Sequence, residues 1–247
     1  MPRLLPLVLL CWMLPPPTAA QTLEQRITAV GTGTVRLNFA ARAGVCGDGL
    51  HHIGMVDADD EWEEDCRPQL VRVALQLRNG VVTAVRSYVG GRWRPHPGVA
   101  DLGTVRPQDA ADYFVSLVER RKDISGDPLL PAVLADSVIV WPSLLGLARN
   151  PKLPAKIRRT AVFWLAQTAG AAATGSLDSI AGDSTGDLEI RKQAVFALSQ
   201  RPRNEGVPAL LSIARSSPDP ELRRSAIFWL GQSQDPRALA LFEELLR

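Results

Sequence analysis

The chain has 247 residues, 46% hydrophobic and 22% charged, an ordinary folded composition with enough apolar mass for a core. Its 28 Lys and Arg against 26 Asp and Glu leave a formal charge of +2, which gives no argument for a nucleic-acid partner. The first residues, MPRLLPLVLLCWMLPPPTAA, combine a basic Arg3, an apolar run from Leu4 to Leu14 and the small residues Thr18, Ala19 and Ala20. That pattern predicts a secretory signal over 1–20 and an exported chain, periplasmic or extracellular; the apolar run is too short to span a bilayer.

Cys11 lies inside that run behind Leu10, which is not the small residue that lipid attachment wants. Removal of the signal leaves Cys46 and Cys66, which would pair in an oxidising compartment. A loop of that size closed by a disulfide contributes roughly 3 kcal/mol in the chain-entropy picture.

From Thr34 to Ala41, Val35, Leu37 and Phe39 alternate with Arg36 and Asn38, the pattern of a half-buried strand. Between the cysteines lies GDGLHHIGMVDADDEWEED, in which seven of the nine residues from Asp57 to Asp65 are acidic. Asp57, Asp59 and Asp60 are hard oxygen ligands, and His51 and His52 stand close by. The stretch nevertheless lacks the glycine and closing glutamate of a calcium loop in register, so no metal is assigned and the segment reads as a solvated acidic loop. A second possibility is that it docks on basic residues of the C-terminal half. Next, Val71, Val73, Leu75 and Leu77 alternate with polar or small residues, Asn79-Gly80 supplies a tight turn, and Val81 to Val89 returns. These strands predict a small antiparallel sheet, with GGRWR at 90–94 as a short added edge.

After Pro107, QDAADYFVSLVERRK places Ala110, Tyr113, Phe114, Leu117 and Val118 on one helical face. ISGD at 124–127, with Pro128 next, reads as the joint to the C-terminal half of the chain. Beyond it, IRRTAVFWLAQ at Ile157 recurs as IRKQAVFALSQ at Ile190 and LRRSAIFWLGQ at Leu222, spaced by 33 and then 32 residues. A fixed period of that length marks a solenoid. LLGLAR from Leu144, LDSIAG from Leu177 and LLSIAR from Leu210 precede the copies, so each unit is a helix pair. Ala161, Ala194 and Ala226 share one slot, where helices approach closely; Phe163, Phe196 and Phe228 share another and read as repeated core. Asp187 and Asp219 are N-caps with Glu189 and Glu221 in the first turn, whereas the first copy has Pro154 and Lys156.

The pairs Arg158-Arg159, Arg191-Lys192 and Arg223-Arg224 sit near helix N-termini, where positive charge is least welcome. Two readings remain open: a ladder of bridges to Asp187, Glu189, Asp219 and Glu221, or a cationic stripe that grips an acidic partner. Trp164 and Trp229, absent at Ala197, are candidate contact anchors, although tryptophans so placed are more often core. No G-x-S-x-G elbow, Cys-His pair or phosphate loop appears in the chain, so no catalytic residue and no cofactor is assigned.

The helix-pair period, the D-x-E-[IL]-R start and the A-[VI]-F-x-L core resemble the short bacterial HEAT repeats grouped with phycobilisome lyases. The resemblance covers about residues 128–247 and implies an α-solenoid used for protein binding. The lyase activity is not carried over, because both remaining cysteines lie outside the repeats. The expected architecture is α+β: a small antiparallel-sheet domain over 21–123, stapled by Cys46 and Cys66, then an all-α HEAT-like solenoid over 124–247. The expected function is a non-catalytic periplasmic or secreted scaffold or adaptor for a protein partner, without nucleic acid or membrane span. The alternative is an envelope sensor or regulatory module whose N-terminal domain binds a ligand or metal ion.

Overall fold

The computed structural model describes residues 21–47, 62–63, 69–121, 123–168, 171–201 and 204–246. The alternating stretch becomes β1 (Gly33–Ala40), flanked by the hairpin of β3 (Leu70–Arg78) and β4 (Val81–Val89). Asn79 and Gly80 both take positive φ, 51° and 75°, which is what a two-residue hairpin turn of the strands' own twist requires. β1 and β3 pair antiparallel with Val35 opposite Leu75, Leu37 opposite Val73 and Phe39 opposite Val71. One face of the sheet is therefore continuous aliphatic surface, and α2 (Pro107–Arg120) buries Phe114, Leu117 and Val118 into the same core.

Two features differ from the sequence expectation. The sheet is mixed, in the order β4-β3-β1-β6, because β6 (Val99–Thr104) joins β1 in parallel. The GGRWR stretch does not extend it: β5 (Arg92–Trp93) pairs with β2 (Trp62–Glu63) as a separate ribbon. That ribbon has a physical use, since the guanidinium of Arg36, 4% exposed, stacks over the Trp93 ring at 4.5 Å. Arg72, also buried, donates from Nε to the carbonyls of Gly90 and Gly91. A short helix α1 (Leu23–Thr28) opens the described chain, started by a capping box between Thr22 and Gln25.

The segment read as a joint is sewn to the sheet. Ser125 donates to the Thr83 carbonyl and accepts from the Val85 amide, each at 2.9 Å. Ten residues on, Arg42 donates to Leu134 and Asp136 to Ala40. The helix α3 (Leu130–Leu134) is buried between these attachments, and its core is continuous with that of the sheet.

The repeats are built from α4 (Trp141–Arg149) with α5 (Ala155–Gln167), α6 (Ala171–Gly182) with α7 (Leu188–Ser199), α8 (Val207–Ser216) with α9 (Pro220–Gln232), then α10 (Pro236–Leu245). Within each pair the helices pack together, and α5, α7 and α9 also pack successively. Ala161, Ala194 and Ala226 are fully buried, as a close helix approach demands. The architecture is α+β, a mixed sheet followed by a HEAT-like helical stack. Among the described residues no helix is long and apolar enough to cross a membrane.

Gly126 has φ of +84°, and a Cβ added there would collide with the Val85 carbonyl oxygen. Gly126→Ala is therefore expected to lower the unfolding free energy by at least about 1–3 kcal/mol from the backbone conformation alone. Urea denaturation, with the m-value unchanged, measures this.

Candidate functional site

The repeated sentence places its residues on two sides of each second helix. On the inner side, Asp187 caps α7 by accepting from the Glu189 and Ile190 amides, and Asp219 caps α9 through Glu221 and Leu222. Each of these carboxylates also receives an arginine from the preceding unit: Arg158 reaches Asp187 at 3.2 Å and Arg191 reaches Asp219 at 3.4 Å. Arg191 is 6% exposed and donates its Nε to the Ala181 carbonyl as well. Arg223, in the third copy, donates to the Ser217 carbonyl at 2.6 Å. The first arginine of each pair is thus directed inward, and for Arg158 and Arg191 the contact joins one repeat to the next.

The second cation points elsewhere. Arg159 and Arg224 are exposed and Lys192 half-buried. Lys192 pairs with Glu189 at 3.3 Å one turn earlier, and Arg224 pairs with Glu221 in the same way. Arg159 has Lys156 at the corresponding position, and no ion pair is formed by Arg159 among the described residues.

The phenylalanines are not the repeated core expected of them. Phe163 is 37% and Phe228 57% exposed, and Phe196 is half-buried. Each lies four residues after the second cation and four before an exposed glutamine: Arg159-Phe163-Gln167, Lys192-Phe196-Gln200, Arg224-Phe228-Gln232. Residues at i, i+4 and i+8 share a helical face, so each second helix shows solvent one cation, one aromatic ring and one amide in that order. The spacing was legible in the sequence; its exposure was hidden because aromatic residues at helical spacing usually mark the buried stripe.

The two tryptophans divide. Trp164 is buried, at 4% exposure, and donates its Nε1 to Asp127 at 2.7 Å, so it is an interior strut and not an exposed anchor. Trp229 is half-buried between Phe196 and Phe228, with ring centroids 5.0 and 4.9 Å away, and braces the second and third rings. A further residue without a counterpart in the repeat pattern is Arg201. Buried after α7, it donates to the Ala166 and Thr168 carbonyls at the end of α5 and pairs with Glu205 at 3.0 Å. Cys46 stands beside Gly47, which pairs with Val89 at the end of β4. Cys66, His51, His52 and the acidic residues 57–61, 64 and 65 lie outside the described residues.

Residues 222–247 match the family model of the PBS lyase HEAT-like repeat. The match covers α9 from Leu222 onward and α10, the last of the stacked units, and supports a HEAT-repeat protein. No curated protein matches the chain. HEAT-like repeats in general serve protein–protein interaction.

Asp219→Ala removes a cap and leaves the buried Arg191 without its carboxylate, and is expected to cost about 2–4 kcal/mol. Asp187→Ala, whose partner Arg158 is more accessible, is expected to cost about 1–2 kcal/mol. Paired chemical denaturation curves give the order.

Acid sensitivity arises from Asp187 and from Asp235, which caps α10. The hydrogen bond from Arg158 holds the Asp187 carboxyl below its ordinary value of 3.8, and that from Arg237 holds Asp235 down at about 2. A carboxylate with a depressed folded pKa contributes stability above its unfolded pKa and loses it as pH falls through the folded value. The melting temperature is expected to be level above about pH 5 and to fall between about pH 4 and 2. Melts of Asp235→Asn should show a shallower fall.

Proposed function

We propose that this chain is a non-catalytic, exported binding module that docks another protein on the outer face of α5, α7 and α9. The observation that carries this reading is the threefold row of cation, phenylalanine and glutamine. Burying Phe163 and Phe228 in the core would have stabilised the stack, yet both rings face solvent on helices that otherwise follow the buried pattern. Exposed aromatic rings rimmed by polar groups are characteristic of contact surfaces. The inward arginines do not compete for that role, since Arg158 and Arg191 are engaged with Asp187 and Asp219.

Export rests on the charged, apolar and small-residue order of the first twenty residues, and the bridge between Cys46 and Cys66 on their being the two cysteines left after cleavage. The secreted product is expected to begin near Gln21 and to weigh two hydrogens less than its reduced form by intact mass. A mass that includes residues 1–20, or two alkylatable thiols in the native protein, would contradict this part.

The surface itself is tested with the triple variant Arg159→Glu, Phe163→Ala, Phe228→Ala. These side chains lie outside the ladder, but Phe163 and Phe228 each edge onto a tryptophan at 4.9 Å, so the variant is first shown to be folded, with a melting temperature lowered by several degrees at most. Affinity capture from envelope extract should retain a specific protein on the parent chain and lose at least about 90% of it on the folded variant, since interface anchors of this kind carry over 1 kcal/mol each. Equal retention by both would place the docking surface elsewhere.

A further inference from the structure

A cleft of about 240 Å³ lies where the sheet module meets the first repeat. Its apolar walls come from both sides: Val118 of α2 and Leu129 ahead of α3 are buried, while Ile124 and Ile157 of α5 are half-buried against the core. Two cations complete the lining, Arg121 at the end of α2 and Lys156 in the first turn of α5. Arg121 gives one terminal nitrogen to Asp123 at 3.0 Å, while its Nε is buried with no hydrogen-bond partner among the described residues.

One repeat later the space beside Ile190, the counterpart of Ile157, is nearly filled. There the lining includes Arg158, Asp187 and Ile190, and only about 40 Å³ is left, because the in-chain carboxylate caps α7 and receives the arginine. At the first repeat Pro154 stands in place of that aspartate and gives α5 no side-chain cap, and Lys156 stands in place of the first-turn glutamate. The cleft thus joins an apolar wall to two cations, and the capping carboxylate that Asp187 supplies one repeat later has no counterpart at Pro154. One acidic residue does line it, Asp127, but its oxygens already accept from the Leu129 and Leu130 amides and from Trp164 Nε1.

We propose that this cleft binds a small carboxylate with a short apolar body, its charge held by Arg121 and Lys156 and its body against Val118, Leu129 and Ile157. The volume lies below the ~300 Å³ at which pockets begin to take drug-sized ligands, which limits the occupant to the size of one amino-acid residue. Both a free short-chain acid and the C-terminal residue of a peptide carry that chemistry. Lys156 stands one turn before Arg159 of the outer row, but the cleft does not depend on that row being a docking surface.

The test is titration of the full chain with N-acetyl-leucine, hexanoate and the neutral N-acetyl-leucinamide, followed by amide shifts of Gly126, Ala155 and Thr160. Expected is saturable binding of at least one acid with a Kd of about 1 mM or tighter, and at least tenfold weaker binding of the amide. Response to both acids identifies a general carboxylate site, and response to N-acetyl-leucine alone identifies a peptide C-terminus. Lys156→Glu places in α5 the first-turn acid that α7 and α9 carry, so it should fold and weaken the acid at least tenfold. Lys152→Glu, outside the lining, should leave binding unchanged. The proposal is overturned if neither acid shifts these amides at 10 mM (about ten times the expected Kd), if the amide binds as well as the acids, or if Lys156→Glu binds as tightly as the parent.

Discussion

The helical half of this protein depends on a bifunctional carboxylate at each of the two junctions between its helix pairs. Asp187 and Asp219 each satisfy the open amides at the start of their own helix and, with the other oxygen, neutralise an arginine from the repeat before. Neither partner would be well placed alone. An arginine near a helix N-terminus opposes the helix dipole, and the nearly inaccessible Arg191 would be a desolvated charge without Asp219. Because one residue performs both tasks, helix start and repeat-to-repeat alignment cannot be lost separately, which is how a one-dimensional stack with only nearest-neighbour contacts keeps a fixed geometry.

With the inner side fixed in this way, the outer side is free to vary without harming the stack. The sequence expresses that division in adjacent letters: in Arg158-Arg159, Arg191-Lys192 and Arg223-Arg224 the first residue serves the fold and the second faces outward. Neighbouring residues on a helix diverge by about 100°, so a basic pair is not one feature but two. The contacts divide along the pair: Arg158 and Arg191 are rungs of a ladder, and Arg159, Lys192 and Arg224 make no contact with a neighbouring repeat's carboxylate among the described residues.

Much of the fold could be read from periodicity. The hairpin at Asn79-Gly80, the amphipathic α2, the helix pairs and the aspartate caps all come from local patterns that the structure realises. The parallel β6 was not legible, because its pairing with β1 is long-range and Val99–Thr104 shows only weak alternation. Ser125 carries no signal of its backbone bonds to β4, since any residue can make them; only Gly126 hints at the close approach. Helix α1 did have a signal, the T-x-x-Q spacing of Thr22 and Gln25, but a six-residue helix offers too little periodicity to read. At the candidate surface, the recurring phenylalanines and tryptophans were visible, but that Phe163 and Phe228 turn outward was not. Adjacent aromatic residues give no internal clue to which one turns inward, and the hydrogen bond from Trp164 to Asp127 spans 37 residues of sequence.

The reversal of charge at Lys156 gives the outer row a direction. Three equivalent steps would let an extended segment lying across them slip sideways by one repeat at the loss of only a terminal contact, so several alignments would be nearly degenerate. Among the described residues Lys156 and Arg159 form no ion pair, whereas Glu189 and Glu221 balance their neighbours on the other two helices, so the three steps differ in net charge. On the proposed docking face, a segment carrying its acid at one end would meet a single lowest-energy frame, since slipping or reversing it would place that acid beside Glu189 or Glu221. A repeated surface with one altered letter can thus work as a ruler with a marked zero.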